Sequence, residues 1–89
     1  MSNKTKKQTI PTWFQGMIYE RGEIVTNPFS GQEYELNGME LSMYDFIMGC
    51  SHVLEVAPRT ITQEQLSNFK KAVSWFRKNN PEAYMVLLD

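Results

Sequence analysis

Cysteine and histidine are almost absent from this chain of 89 residues, which contains one of each, Cys50 and His52. A single cysteine excludes an intramolecular disulfide, and it cannot supply the paired thiolates of a typical structural zinc site. Long apolar runs are also missing: no stretch reaches the ~18 residues of a membrane span, and the N-terminus lacks the apolar region of a signal peptide. These absences favour a cytoplasmic protein without a metal or cofactor.

The chain also has little material for catalysis. Cys50 and His52 fall in a segment that predicts a helix, where positions i and i+2 lie ~200° apart around the axis. Cys50 is therefore expected to pack in the core and His52 to face solvent near Asp45. Glu33 and Glu35 alternate with apolar residues, which is typical of the solvent-exposed face of a strand. We expect no enzyme activity, and the remaining alternative is a hydrolase or transferase that gathers His52 with acids of the sheet.

What the sequence does contain is an ordinary globular composition, with 42% hydrophobic and 21% charged residues. The net charge of −1 conceals an asymmetry along the chain. Seven acids stand against Arg21 alone between Glu20 and Glu55, whereas five bases stand against Glu64 alone between Arg59 and Lys78. The two halves either face each other and solvent, or one of them meets a charged partner.

The first third of the chain predicts a tail and a small sheet. Residues 1–9 are polar and lysine-rich, which indicates a flexible basic tail before a single domain over residues 10–89. Met17–Tyr19 and Ile24–Thr26 are β-prone and flank a turn at Gly22. A second turn at Asn27–Gly31 precedes Gln32–Leu36, whose apolar residues alternate with glutamates. The pattern predicts two or three antiparallel strands.

Helices are predicted for the rest. Asn37 and Glu40 form a capping-box pattern that begins a helix ending near Ala57, before Pro58. Its core face is Met43, Phe46, Ile47, Cys50, Val53, Leu54 and Ala57.

A second capping-box pattern at Thr62 and Gln65 begins a helix that runs to about Lys78. Pro81 fits the first position of a short third helix over residues 82–88, for which a strand is the alternative. The fold class is therefore α+β, with a small antiparallel sheet packed by two main helices and a short C-terminal helix. The apolar stripe of the second helix is Leu66, Phe69, Ala72, Val73 and Phe76.

Two surface patterns suggest partners. The second helix carries a basic face with a tryptophan at its edge, which suits weak binding of nucleic acid through phosphate contacts and base stacking. An ordinary solvated face is the alternative, and the overall acidic balance argues for it. The candidate nucleic-acid residues are Lys70, Lys71, Trp75, Arg77 and Lys78.

The second pattern is a surplus of apolar side chains outside the core face of the first helix and in the C-terminal segment. Apolar surface rich in methionine is typical of contacts with a protein partner or with a second copy. The alternative is a first helix that is buried on two sides. The leading expectation is a non-enzymatic interaction protein, and the candidate partner surface is Leu41, Tyr44, Met48 and Met85.

The amino-acid sequence of several segments resembles that of small proteins encoded by marine bacteriophages. The similar segments are Asn27–Gly31, Tyr34–Leu36, Leu41–Gly49, Trp75–Phe76 and Asn79–Tyr84. The resemblance implies no activity, cofactor or site residue. It implies an accessory or structural phage protein in the cytoplasm of an infected bacterium.

Overall fold

A computed structural model describes residues 8–88 and shows the α+β arrangement that the sequence predicts. Two strands form an antiparallel sheet, and two main helices and a short C-terminal helix pack with it. The elements are β1 (Glu23–Thr26), β2 (Glu33–Leu36), α1 (Gly38–Val56), a 3₁₀ turn (Pro58–Thr60), α2 (Gln63–Asn79) and α3 (Pro81–Leu87).

The sheet follows the predicted alternation. Val25 of β1 pairs with Tyr34 of β2, and Glu23 pairs with Leu36. Leu36 is buried in the core while Glu33 and Glu35 are exposed, which confirms that the two glutamates lie on the solvent-exposed face of the strand. Because two strands are marginally stable alone, the sheet depends on its packing against α1 and α3.

The described residues form two strands, the smaller of the two predicted numbers. Met17–Tyr19 lies in a loop, where Met17 and Ile18 are mostly exposed. The backbone N–H of Tyr19 donates to Ser42 Oγ of α1 at 2.8 Å instead of to a strand. A β-prone triplet becomes a strand only when a neighbouring strand accepts its hydrogen bonds, and here the start of α1 occupies that role.

Helix α1 confirms its predicted bounds. Asn37 and Glu40 form both hydrogen bonds of the capping box, at 2.8 and 3.0 Å, and Ala57 closes the other end. Met43 and Ile47 of the predicted core face are buried. Leu41 is buried as well, because the first turns of α1 are covered on several sides. The buried core consists of Leu36, Leu41, Met43, Ile47, Ala72, Phe76, Ala83 and Leu87.

Helices α2 and α3 also begin where their caps predict. Thr62 and Gln65 exchange the two capping-box hydrogen bonds, at 2.9 and 3.0 Å. Asn80 ends α2 and caps α3 through its Oδ1, which accepts from the N–H of Ala83 at 3.1 Å. The segment after Pro81 is therefore a helix, and the strand alternative is wrong. None of the helices within residues 8–88 is long and apolar enough to cross a bilayer.

The N-terminal segment joins the domain earlier than the sequence indicates. The predicted tail ends at Thr9, and residues 1–7 lie outside the described residues. Gln8, however, is buried and donates through Nε2 to Glu40 Oε2 at 2.9 Å. Thr9 accepts a hydrogen bond from Trp75 Nε1. The polar residues of this segment predict a tail. The sequence alone does not show the buried carboxyl group that Gln8 contacts.

Candidate functional site

Cys50 and His52 lie apart, as the helical spacing predicts. Cys50 is half-buried and lines an apolar cavity of about 250 Å³ between α1 and the start of α2, whereas His52 is exposed. Burial raises the pKa of the Cys50 thiol above its ordinary value, which disfavours the reactive thiolate. Within residues 8–88, no three side chains of His, Cys, Asp or Glu are grouped to hold a metal ion.

The candidate partner surface is divided by the fold. Leu41 is 7% exposed and belongs to the core, so it is not part of an accessible surface. Tyr44 is half-buried, with its ring centroid 6.3 Å from that of Phe76. Met48 and Met85 remain exposed, at 39% and 67%. A helix buried on two sides therefore explains Leu41 and much of Tyr44, but not the two methionines.

The most exposed large apolar side chain described is Phe29, which is 98% exposed at the tip of the β1–β2 connection. Phe29 lies outside the predicted partner surface. The cue in the sequence is a phenylalanine inside the predicted turn at Asn27–Gly31.

Asn27 braces the turn that carries Phe29. Its side-chain Oδ1 accepts from the N–H groups of Phe29, at 2.8 Å, and Ser30, at 3.3 Å. Its Nδ2 donates to the carbonyl of Val86 in α3 at 2.9 Å, which ties the turn to the helical layer. Gly31 adopts a φ of 77°, a conformation that glycine accommodates without strain. The aromatic ring is therefore presented on an anchored backbone.

A concave surface lies beside this ring. It has a volume of about 490 Å³ and runs along one face of α1. We call it, with the ring, the Phe29 surface, whose residues are Pro28, Phe29, Met48, Ser51, His52, Leu54 and Glu55. Of the predicted partner residues, only Met48 belongs to it.

The predicted nucleic-acid residues are also divided, into a cleft and its surroundings. A second surface depression of about 260 Å³ brings Trp75 together with Trp13. Lys71 Nζ lies 6.0 Å from the centre of the Trp13 ring. We call this depression the tryptophan cleft, and its residues are Pro11, Trp13, Lys71, Ser74, Trp75, Lys78 and Asn79.

Lys70 and Arg77 do not line the tryptophan cleft. The guanidinium carbon of Arg77 lies 5.7 Å from the centre of the Tyr84 ring, on the side of α3. The basic face of α2 is therefore two surfaces: Lys71 and Lys78 flank the tryptophans, and Arg77 packs towards the C-terminal helix.

Comparison with protein-family models, with curated proteins and with solved structures gives no match to this chain. Its function is therefore inferred from the geometry of its own surfaces.

Proposed function

We propose that this chain is a non-enzymatic interaction protein that binds a protein partner through the Phe29 surface. The observation that carries the proposal is the 98% exposure of Phe29 on a turn anchored by Asn27. Exposing a phenylalanine to water forfeits roughly 1.5–3 kcal/mol of burial free energy. A partner with an apolar pocket recovers that free energy when the ring enters it.

The anchoring of the turn supports binding as well as exposure. An ordered loop loses less conformational entropy on association than a mobile one, so more of the burial free energy becomes affinity. Aromatic anchors next to a shallow concavity are also typical of the residues that dominate interface energetics. The exposed Met48 in the concavity adds an adaptable apolar contact.

The partner is either another protein or a second copy of this chain. An accessory role in an infected bacterial cytoplasm, as the resemblance to marine phage proteins implies, fits either partner. One ring and a small concavity bury much less than the roughly 1,200 Å² of a stable interface, so the Phe29 surface alone supports a weak or transient contact.

Site-specific photocrosslinking tests the proposal. A benzophenone amino acid at position 29 is expected to give a discrete covalent adduct in cells that naturally make the protein. The matched control carries the same group at Ile24, which is 62% exposed on the outer face of β1. Identical adduct patterns from the two positions would contradict the proposal.

The mass of the adduct separates the two kinds of partner. Twice the mass of the chain identifies a second copy, and sedimentation velocity over a concentration series must then show association that Phe29→Ala abolishes. Any other discrete mass identifies a different protein, and Phe29→Ala must then weaken its binding at least tenfold while Ile24→Ala does not.

A further inference from the structure

We infer that the tryptophan cleft is a binding site for single-stranded nucleic acid, with bases stacked on Trp13 and Trp75 and phosphates at Lys71 and Lys78. The site shares no residue with the Phe29 surface, so it is independent of the proposed partner contact. It carries both kinds of group that a nucleotide strand requires, aromatic rings and lysine cations.

A hydrogen bond and a ring contact hold the two tryptophan side chains of the cleft in place. Trp75 Nε1 donates to the carbonyl of Thr9 at 3.1 Å, which satisfies the only polar atom of that indole and fixes its orientation. Trp13 meets Phe14 edge-on, with ring centres 6.3 Å apart and an interplanar angle of 70°. Both rings are only half-buried, so part of each remains available to a base.

The cationic part comes from two exposed lysines on one helix. Lys71 and Lys78 are seven residues apart, which places them about 10.5 Å apart along the axis of α2 and on the same side. Lys71 Nζ lies over the face of the Trp13 ring, 6.0 Å from its centre, so the ammonium group must move aside towards a phosphate when a base stacks on that face. Among residues 8–88, no carboxylate lines the cleft, so none of these residues neutralises the positive charge of the two lysines inside it.

The geometry favours a strand over a duplex or a free nucleotide. A duplex keeps the faces of its bases stacked inside and cannot present them to tryptophan. A free nucleotide has one base and uses one ring, whereas a strand can use both rings and both lysines at once. Stacking of this kind tolerates any base, so either DNA or RNA satisfies the chemistry.

Tryptophan fluorescence reads the site directly, because Trp13 and Trp75 are the only tryptophans of the chain and both line the cleft. Titration with oligothymidylate or oligouridylate of about 15 nucleotides is expected to quench the fluorescence to saturation. The affinity should fall as salt rises from about 50 to about 200 mM. Thymidine monophosphate and a duplex of the same length are the competing ligands.

Two double variants separate the cleft from general electrostatics. Lys71→Gln with Lys78→Gln removes the cleft cations, and Lys70→Gln with Arg77→Gln removes the same charge from the same helix outside the cleft. The cleft variant should bind at least tenfold more weakly at about 50 mM salt, and its salt slope should shrink by about 1.4. The control variant should lose no more than about threefold. Circular dichroism checks that both variants are folded.

Three results would overturn the inference. Equal losses in the two double variants would assign binding to net charge rather than to the cleft. Quenching by the monophosphate at the same concentrations as by the oligonucleotide would assign the cleft to a single nucleotide. Absence of quenching by either oligonucleotide at millimolar concentration would remove nucleic acid as the ligand.

Discussion

At the scale of single residues, the carboxyl group of Glu40 joins parts of the molecule that are distant in sequence. Its side chain is fully buried and accepts hydrogen bonds from Gln8 Nε2, from Asn80 Nδ2 and from the backbone N–H of Asn37. These donors belong to the N-terminal segment, the α2–α3 junction and the cap of α1. Altering a buried acceptor with such partners strongly destabilises the folded protein.

Glu40→Gln is expected to lower the free energy of unfolding by about 2–4 kcal/mol, because the new amide N–H groups would face N–H donors. Urea denaturation measures the change. The matched control is Glu35→Gln, the same chemical change on the exposed face of β2, which should cost less than about 0.5 kcal/mol. Equal effects at the two positions would contradict the role given to Glu40.

Cys50 provides a residue-scale test by chemistry. Because burial raises its thiol pKa, less thiolate is present at a given pH than in an exposed cysteine. Alkylation by iodoacetamide at pH 7.5 should therefore be at least severalfold slower in the folded protein than in urea, and should accelerate as pH rises. A folded-state rate equal to that in urea would show that the thiol is neither buried nor shifted.

At the scale of elements, two glycines of α1 have opposite surroundings. A Cβ atom at Gly38 would clash with the carbonyl oxygen of Tyr19, because the loop of residues 16–22 crosses the start of the helix there. A Cβ atom at Gly49 would meet nothing. The close approach at Gly38 also explains why Met17–Tyr19 is not a strand, since this loop packs on α1 rather than beside β1.

Gly49→Ala is expected to stabilise the protein by about 0.5–1 kcal/mol, because alanine has the better helix propensity and no clash results. Such a gain raises the melting temperature by roughly 2–8 °C in a domain of this size. Gly38→Ala is the paired variant and should be destabilising, because the Tyr19 backbone must move. Thermal unfolding of both variants measures the two changes in melting temperature. Stabilisation by Gly38→Ala would contradict the close packing of the loop.

At the scale of the whole molecule, the fold is nearly as compact as a chain of this length can be, and the tyrosines with raised pKa values lie on several elements. The radius of gyration is 12.9 Å, near the roughly 12 Å of a compact chain of this length. Burial raises the pKa values of Tyr34 on β2 and Tyr44 on α1, and at Tyr34 a hydrogen bond to Glu82 of α3 raises it further. Partial burial and the nearby Asp45 carboxylate raise the pKa of Tyr19.

These directions predict a loss of stability in alkali. A tyrosine whose pKa is raised on folding contributes stability that is fully present below its unfolded pKa and is lost as pH rises through its folded pKa. The urea midpoint should therefore fall once pH passes the ordinary tyrosine value of 10.0. Tyr34→Phe with Tyr44→Phe should flatten that decline. A midpoint that rises between pH 9 and 11 would contradict the shifts.

Rules that involve only neighbours along the chain are sufficient to predict most of the helices and strands. The capping pairs Asn37 with Glu40 and Thr62 with Gln65, and the cap of Asn80 before Pro81, involve residues no more than four positions apart. The opposite placement of Cys50 and His52 also follows from helical repeat alone. A sequence determines such features by itself because their energetics depend on neighbours along the chain.

Only the tertiary structure decided the surfaces. It buried Leu41, left Phe29 in solvent on a turn tied to Val86, and brought Thr9 to Trp75 across 66 positions. It likewise joined Trp13 to Lys71 and Lys78 in one cleft while turning Arg77 towards Tyr84. Exposure and long-range neighbours depend on how whole elements pack, and periodicity shows which face of a helix is apolar but not what covers it.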